Sequence, residues 1–526
     1  MNKNDKKILK LLINKKPTNR KDFFYHLKKI SGQFHQAPST NIELLKAYHN
    51  LVKSKTLKLN PQIDKFLTKR AVRTLSGVAV IAVLTKPFPC PGKCAFCPSQ
   101  KKMPKSYLSN EPAVMRAILC KFDPYKQVAM RLAALKMTGH STDKCELIVM
   151  GGTWSVLPPK YQHWFIKRCF DAFNTKVAKN LTKAQKTNET AKNRVIGLTL
   201  ETRPDYITPE EIKRMRNLGC TKVELGVQAI DNKILDLNCR GHKVDTIINA
   251  TKLLKDSGFK VLYHMMPNLP GSSVAKDFLM FKKLFNNSNF QPDMLKIYPC
   301  VVTRDSKLYH WNKQGKFKVY SDNSLLNLLI KIKKIIPPYV RIVRLIRDIP
   351  GESIIAGNKI SNLREFIAKK LKDQNTSCQC IRCCEPKEKD LVIKSAKLVV
   401  RKYSANDGQE YFLSYESVAN NKRTLYAFLR LRLPKLVNTK LIQQIPDIKD
   451  SALIREIHTY GKLIPLKSKT KAIQHAGFGK LLIKKAEEIA RKNGYKKMTV
   501  ISGIGVRQYY HKLGYQLGQN YMIKNI

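Results

Sequence analysis

Three cysteines define the first chemistry open to this chain. Pro89-Cys90-Pro91-Gly92-Lys93-Cys94-Ala95-Phe96-Cys97-Pro98 spaces Cys90, Cys94 and Cys97 as C-x3-C-x2-C. Thiolates hold [4Fe–4S] clusters, and a loop with this spacing can wrap one face of a cubane. Three local thiolates leave one iron open to another ligand. A zinc loop is the alternative, but zinc usually takes four ligands in paired C-x2-C units, and the loop offers no fourth. A second group, Cys378-Gln379-Cys380-Ile381-Arg382-Cys383-Cys384, is dense enough for a metal site. Cys378, Cys380 and Cys383 would satisfy most of a tetrahedral zinc, with Cys384 or a remote His or Cys as the fourth ligand. A reduced, Cys-rich turn is the plainer alternative.

Near the C-terminus, Gln474-His475-Ala476-Gly477-Phe478-Gly479 reads Q-x-x-G-x-G at a helix start. Small residues there expose backbone N–H groups, and the helix N-terminus adds its positive end, which together make a pyrophosphate cradle. Followed by a strand–helix unit, the motif points to acetyl-CoA. Tyr509 and Tyr510 lie on the last short helix, where a phenol could protonate a thiolate leaving group. Core packing is the competing role for either ring.

These groups need a frame. From Ser76 the pattern alternates strand and helix, with apolar strands expected at Val78–Leu84, Glu146–Met150, Val195–Leu200, Lys222–Val227, Lys260–Met265, Met294–Tyr298 and Val340–Ile346. Such periodicity predicts an α/β fold built on a parallel sheet, an open or partial (β/α) barrel. Active sites of such barrels lie at strand C-termini. The polar residues there are Gly151 and Gly152, Glu201 to Asp205, Glu224 and Gln228, Arg240 and His242, His264 and Asn268, and Lys296 and Tyr298. Residues 174–194, rich in Lys, Asn and Thr, read as an exposed excursion. From about Leu391 the pattern turns antiparallel, with strands at Tyr411–Ser414, Leu425–Leu431 and Leu453–Tyr460, a helix at Leu481–Arg491 and a strand at Met498–Ile501. The expected divisions are a basic helical region at 1–75, the barrel at 76–350, a cysteine linker at 351–390 and an acyl-CoA domain at 391–526.

Composition narrows the partner. The 526 residues carry 98 Lys+Arg against 38 Asp+Glu, a net charge of +60, although Lys and Asn richness is partly compositional drift. A balance this basic favours a polyanion, and nucleic acid first. The N-terminal helices, with apolar faces from Leu9, Leu11, Leu12 and Ile13 and from Phe23, Phe24, His26 and Leu27, are read as an RNA platform on charge alone. Of 13 cysteines, six are scattered singly, which is metal and core usage in a reducing compartment rather than a disulfide framework. No hydrophobic signal region or membrane-length apolar run is found, so a soluble, cytoplasmic protein is expected.

From about Arg73 onward the order of motifs resembles the Elongator protein 3 family, the catalytic subunit of Elongator. The resemblance rests on Cys94-Ala95-Phe96-Cys97-Pro98, Glu201-Thr202-Arg203-Pro204-Asp205, Glu224-Leu225-Gly226-Val227-Gln228 and His264-Met265-Met266-Pro267-Asn268-Leu269-Pro270-Gly271. It continues in Asp293-Met294-Leu295-Lys296-Ile297-Tyr298-Pro299, Arg347-Asp348-Ile349-Pro350, Arg455-Glu456-Ile457-His458 and the Gln474–Gly479 loop. The resemblance implies a radical S-adenosylmethionine barrel joined to a GNAT-like acetyltransferase domain. The implied activity is carboxymethylation of C5 of the wobble uridine of tRNA, with acetyl-CoA as the carboxymethyl source. Cys90, Cys94 and Cys97 would hold the cluster, with Gly151, Gly152 and Glu201 near S-adenosylmethionine. Gln474, His475, Gly477, Phe478, Gly479 and Tyr510 would hold acetyl-CoA, with Lys296 a further contact at the barrel mouth. Tyr509, Tyr510 and Lys296 are the implied catalytic set, Tyr509 and Tyr510 being alternatives. Partners would be tRNA and either a second copy or Elongator-like subunits. The chain departs from the family pattern in two places: the interval between Cys90 and Cys94 is shorter than in many members, with Gly92 after Cys90-Pro91 where a His is usual, and Cys384 stands where the family usually has Arg or another residue. A lysine acetyltransferase acting on basic tails is the rival reading, and like charges oppose that encounter.

Overall fold

The computed structural model describes residues 4–67, 77–386, 396–419, 422–435, 437–460 and 477–526. The divisions expected near residues 75 and 390, and the motif residues Gln474 and His475, lie outside them. Four helices come first, α1 (Asp5–Asn14), α2 (Arg20–Gln33), α3 (Asn41–Lys53) and α4 (Pro61–Leu67). Asn19 caps α2 by accepting the Asp22 N–H, and Thr40 and Glu43 form a capping box on α3. Ile8, Leu12, Phe23, Leu27, Leu44 and Tyr48 make their separate core. Leu11, expected on the apolar face, is 43% exposed, since it stands about 100° round the helix from Leu12.

Seven parallel strands follow: β1 (Ala79–Leu84), β2 (Lys144–Met150), β3 (Arg194–Thr202), β4 (Lys222–Gln228), β5 (Lys260–Met265), β6 (Met294–Ile297) and β7 (Arg341–Arg344). They pair in sequence order, β1 to β7, so the fold is the open partial barrel expected, with no strand end shifted by more than two residues. Between β1 and β2 lie α5 (Pro112–Leu119) and α6 (Pro124–Met137), and before β3 lie α7 (Pro159–Asn174) and α8 (Leu181–Asn188). The remaining crossovers are α9 (Pro209–Asn217), α10 (Asn232–Leu237), α11 (Val244–Asp256), α12 (Val274–Asn286), α13 (Lys307–Lys313) and α14 (Asp322–Ile335).

The 174–194 stretch is not the exposed excursion its composition suggested. Asn180 caps α8, and Ala184 and Asn188 are buried. The Asn188 amide donates to Asn174 Oδ1 (2.8 Å) and Asn193 O (3.1 Å) and accepts from Val195 N (2.8 Å). Polar side chains here satisfy buried backbone, a use that composition does not disclose.

After α15 (Leu363–Asp373) and the short α16 (Ile381–Cys384), a second sheet forms from β8 (Lys397–Ala405), β9 (Gly408–Ala419), β10 (Lys422–Pro434), β11 (Ala452–Thr459), β12 (Lys497–Val500), β13 (Gln516–Leu517) and β14 (Met522–Asn525). Its order is β13-β14-β12-β11-β10-β9-β8. The helices here are α17 (Thr439–Gln444), α18 (Phe478–Lys492) and α19 (Arg507–His511). α18 lays Phe478, Leu482, Ile483, Ala486 and Ala490 on the sheet, an i, i+4, i+8 stripe.

The second sheet sits under the N-terminal ends of the barrel strands. Asp293, just before β6, takes both Arg455 Nη atoms at 2.6 and 2.7 Å. Arg432 reaches Asp256 (2.6 Å) and Glu410 (3.0 Å). All five side chains are buried. One apolar core runs through the barrel and into Phe412, Phe428, Leu453 and Ile504 of the second unit. No helix of the described residues is long and apolar enough to cross a membrane.

Candidate active site

Strand alternation points every second residue inward, and parallel register decides which of these meet. Glu201 on β3 pairs in register with Glu224 on β4, and His264 on β5 with Lys296 on β6. His264 Nε2 lies 2.8 Å from Glu224 Oε2, and Lys296 forms an ion pair with the same carboxylate. His264 Nδ1 stands 3.7 Å from Glu201, whose other oxygen accepts the Tyr107 hydroxyl at 3.1 Å. Burial alone would raise the Glu224 carboxyl, but the Lys296 ammonium and His264 hold it well below the ordinary range. Burial likewise opposes the Lys296 charge, and Glu224 more than offsets it, leaving Lys296 a firmly held ammonium. Tyr107 and Tyr298 are pushed up by burial, so both remain phenols.

Above the strand ends lies the cysteine loop. Arg240 Nη1 is 3.2 Å from Cys94 Sγ, and Thr153 Oγ1 is 3.8 Å from Cys90 Sγ. Arg203 is fixed by Asp205 (2.9 Å) and the Arg240 carbonyl (2.9 Å), yet its buried Nη1 has no partner. A Cβ on Gly92 would come 2.6 Å from that Nη1, so glycine here leaves room for the guanidinium. Two arginines converging on the thiols, one with an unmet buried donor, suit the negative charge and sulfur acceptors of an iron–sulfur cluster. The loop therefore fits the group that its spacing suggested.

Gly151 and Gly152 leave β2 at φ +132° and +97°, and a Cβ at Gly151 would strike Thr85 Oγ1. Only glycine suits that backbone and that contact. Gln228 (φ 71°) and Asn268 (φ 65°) turn the chain at the ends of β4 and β5 in conformations that side-chain-bearing residues seldom adopt. Arg347 bonds Ser106 Oγ (2.9 Å) and Glu111 (3.3 Å), and Asn110 reaches Ser353 (2.8 Å). These contacts bridge the gap between β1 and β7 with side chains. Tyr107 and Glu111 carried no signal in the sequence, because the loop of residues 98–111 has no periodicity to place it over the barrel.

At the other end, β11 and β12 pair only through Ala452–Ile454 and Met498–Val500. β11 runs on to Thr459 while β12 stops, so the strands part and leave a wedge at Ile457. Gly477 (φ +77°) precedes α18, placing that helix N-terminus at the wedge. Phe478 stacks on Tyr415 at 4.5 Å. A Cβ on Gly479 would lie 2.8 Å from the Tyr509 hydroxyl and 3.8 Å from Ile457. Tyr509 is 37% exposed, whereas Tyr510 is buried against Tyr515, with its phenol pushed well up by burial. The adjacent tyrosines thus face different surroundings.

A single cavity of about 1120 Å³ joins these places. Tyr107, Glu201, His264 and Lys296 line it at the cluster end, and Tyr509 and Tyr510 at the other. The second cysteine group stands apart, with the Cys378, Cys380 and Cys383 sulfurs all within 4.8 Å of one another. Cys384 is buried and directed at the Cys378 carbonyl, 3.8 Å away.

The Radical SAM superfamily profile matches residues 89–281, and the Radical_SAM C-terminal domain profile matches residues 292–373. A tRNA uridine(34) acetyltransferase of Methanocaldococcus infernus is 47% identical over 88% of this chain and 88% of its own. The Elongator complex protein 3 of Homo sapiens is 39% identical over 87% of this chain and 86% of its own. The solved structure of the archaeal Methanocaldococcus infernus Elp3 with an N-terminal deletion superposes with TM-score 0.74 at 43% identity, covering 86% of this chain and all of that one. With its open parallel barrel, its cysteine loop and its second sheet carrying the glycine-started helix, the chain belongs to the Elongator complex protein 3 and tRNA uridine(34) acetyltransferase family.

Proposed function

We propose that the protein modifies C5 of the wobble uridine of tRNA, building a carboxymethyl group from acetyl-CoA. One observation carries this reading: a single cavity reaches both the cysteine-loop end of the barrel and the tyrosines of the acyltransferase sheet. A thioester opened at one end and a radical made at the other would then act in one enclosure. Held by Cys90, Cys94 and Cys97, a [4Fe–4S] cluster with S-adenosylmethionine supplies a radical able to take hydrogen from a methyl group. Gly151, Gly152 and Glu201 border that ligand's place. Lys296, pinned by Glu224, presents N–H donors to an acyl carbonyl. The N-terminus of α18 at Gly477–Gly479, with Gln474 and His475, receives the pyrophosphate of the acyl-CoA. Tyr509, whose hydroxyl lies against Gly479, protonates the departing thiolate.

The names of the relatives support the RNA substrate. So does α2, which exposes Arg20, Lys21, Tyr25, Lys28 and Lys29 on one side, cations for phosphates and a ring on which a base can stack. Extrusion of the target base into the cavity follows the general need of base-modifying enzymes to reach an atom hidden in the stack. Zinc at Cys378, Cys380 and Cys383 would be structural. The soluble compartment and any partner subunits belong to the same reading.

The test is mass spectrometry of wobble nucleosides from cells with and without the gene, paired with acetyl-CoA hydrolysis assayed with and without tRNA. Loss of a carboxymethyluridine derivative, and hydrolysis stimulated by tRNA, are expected. Cys94→Ala should abolish iron loading and S-adenosylmethionine cleavage. Acetylation of lysine peptides without any need for tRNA would overturn the proposal.

A further inference from the structure

Three thiolates around a divalent ion carry one net negative charge, and a buried net charge needs a partner. The Cys378, Cys380 and Cys383 sulfurs already stand within 4.8 Å of one another. A tetrahedral ion with metal–sulfur bonds of ~2.3 Å would set them about 3.8 Å apart, so a small contraction suffices. Cys384, the obvious fourth thiolate, is outside this group and faces a carbonyl instead. What α14 delivers there is a cation. Lys333 Nζ lies 3.1 Å from Cys383 Sγ and 3.9 Å from Cys380 Sγ, with the residue only 2% exposed. Lysines are almost never this buried without a partner. Among the described residues no carboxylate stands within 4.0 Å of its ammonium; its neighbours are the sulfurs.

The surroundings show what the site joins. Ile381 N donates to Val340 O (2.9 Å) at the start of β7. Arg423 of β10 donates to Gln379 O (2.8 Å) and Pro338 O (3.3 Å). The cysteine turn thus ties α14, the last barrel strand and the second sheet together.

We propose that Lys333 is the counter-charge of a three-thiolate metal site made by Cys378, Cys380 and Cys383, with Cys384 not a ligand. The inference rests on the zinc reading given above. Lys333 acts through the thiolates, donating N–H···S hydrogen bonds that neutralise the site and orient Cys383. It is a positioning residue for the metal.

The experiment uses the full chain as wild type, Lys333→Met, Lys333→Arg and Cys384→Ser. Zinc per chain is measured by elemental analysis, zinc release by transfer to a chromophoric chelator, and thiolate ligation by the charge-transfer band of the cobalt-substituted protein. Wild type should hold one zinc, and Cys384→Ser should match it in content and cobalt spectrum. Lys333→Met should release zinc on the order of tenfold faster, the usual scale for losing an outer partner of a metal ligand. Its cobalt ligand-field bands should stay those of the wild type. Lys333→Arg should restore slow release, which also guards against mere misfolding. Unchanged release from Lys333→Met, or zinc lost from Cys384→Ser, would overturn the proposal. A change in the ligand-field bands of Lys333→Met would overturn it too, by making the amine a direct ligand. A wild-type chain holding no zinc would instead sink the metal reading on which it rests.

Discussion

Tyr509 and Tyr510 are sequence neighbours with opposite surroundings, and the difference is testable. The sequence offered both as proton donors because adjacent residues on a helix share composition and spacing. What separates them is the roughly 100° turn between successive positions, which sends Tyr510 into the core and Tyr509 toward Gly479. Tyr509→Phe should slow thioester cleavage on the order of 10²-fold and leave tRNA binding and S-adenosylmethionine cleavage intact. Tyr510→Phe should mainly lower the melting temperature. Gly479→Ala should act like Tyr509→Phe, because its methyl would meet the Tyr509 hydroxyl at 2.8 Å. Equal activity of the Tyr509→Phe and wild-type enzymes in a stopped thioester assay would remove Tyr509 from the chemistry. The Glu224–Lys296 pair was legible as two polar residues at strand ends, but their meeting depended on register. Glu224→Gln leaves a buried ammonium without its counter-charge and should cost about 3–5 kcal/mol. The Glu224 pKa is depressed in the fold, so its contribution is present above the unfolded carboxyl range and lost as pH falls. The Lys296 pKa is raised, so its contribution is present below the unfolded lysine range and lost as pH rises. Melting curves of wild type and Glu224→Gln should therefore differ most between about pH 5 and 10 and converge outside that window.

At the scale of elements, the apolar strands were the readable part. β3 to β6 are buried on both faces or nearly so, and a parallel strand covered by helices reads as a continuous apolar run. β8 was missed for the converse reason. It is an edge strand with mostly exposed or half-exposed residues, so Lys397, Arg401 and Lys402 mask any alternation. α8 was misread because its two buried positions are a lone alanine and an amide, Ala184 and Asn188. Asn188 is fully buried, and replacing it by Ala would strip partners from Asn193 O and Val195 N just where β3 begins. A loss of about 3 kcal/mol is expected from such orphaned groups, read as a fall in the denaturant midpoint with an unchanged slope. A midpoint within error of wild type would return the segment to the exposed loop its composition suggested.

The whole molecule is welded across the base of the barrel. Arg430, Arg432 and Arg455 come from the second sheet, Asp256 and Asp293 from the barrel, and they interleave in the dark of the interface. Asp293→Asn keeps the volume and removes the charge that two buried arginines face, so about 3–5 kcal/mol should be lost. Calorimetry should show both units melting together in wild type, and the variant should shift that shared transition. A variant in which only one unit shifts would mean that the interface does not couple them. No local pattern announced this weld, since isolated arginines on apolar strands look like surface residues until their partners, more than a hundred positions away, are brought to them. The upper rim behaves differently. Closed barrels of eight strands leave an interior that side chains nearly fill, whereas here β1 and β7 stand at opposite ends of the sheet order. Among the side chains that span them are Arg347 with Ser106, Glu111 and the Tyr107 ring, and Asn110 with Glu352 and Ser353. Parting those lips breaks no rung of any ladder. That side of the mouth is latched by side chains alone, while every other seam of the lumen is a backbone ladder.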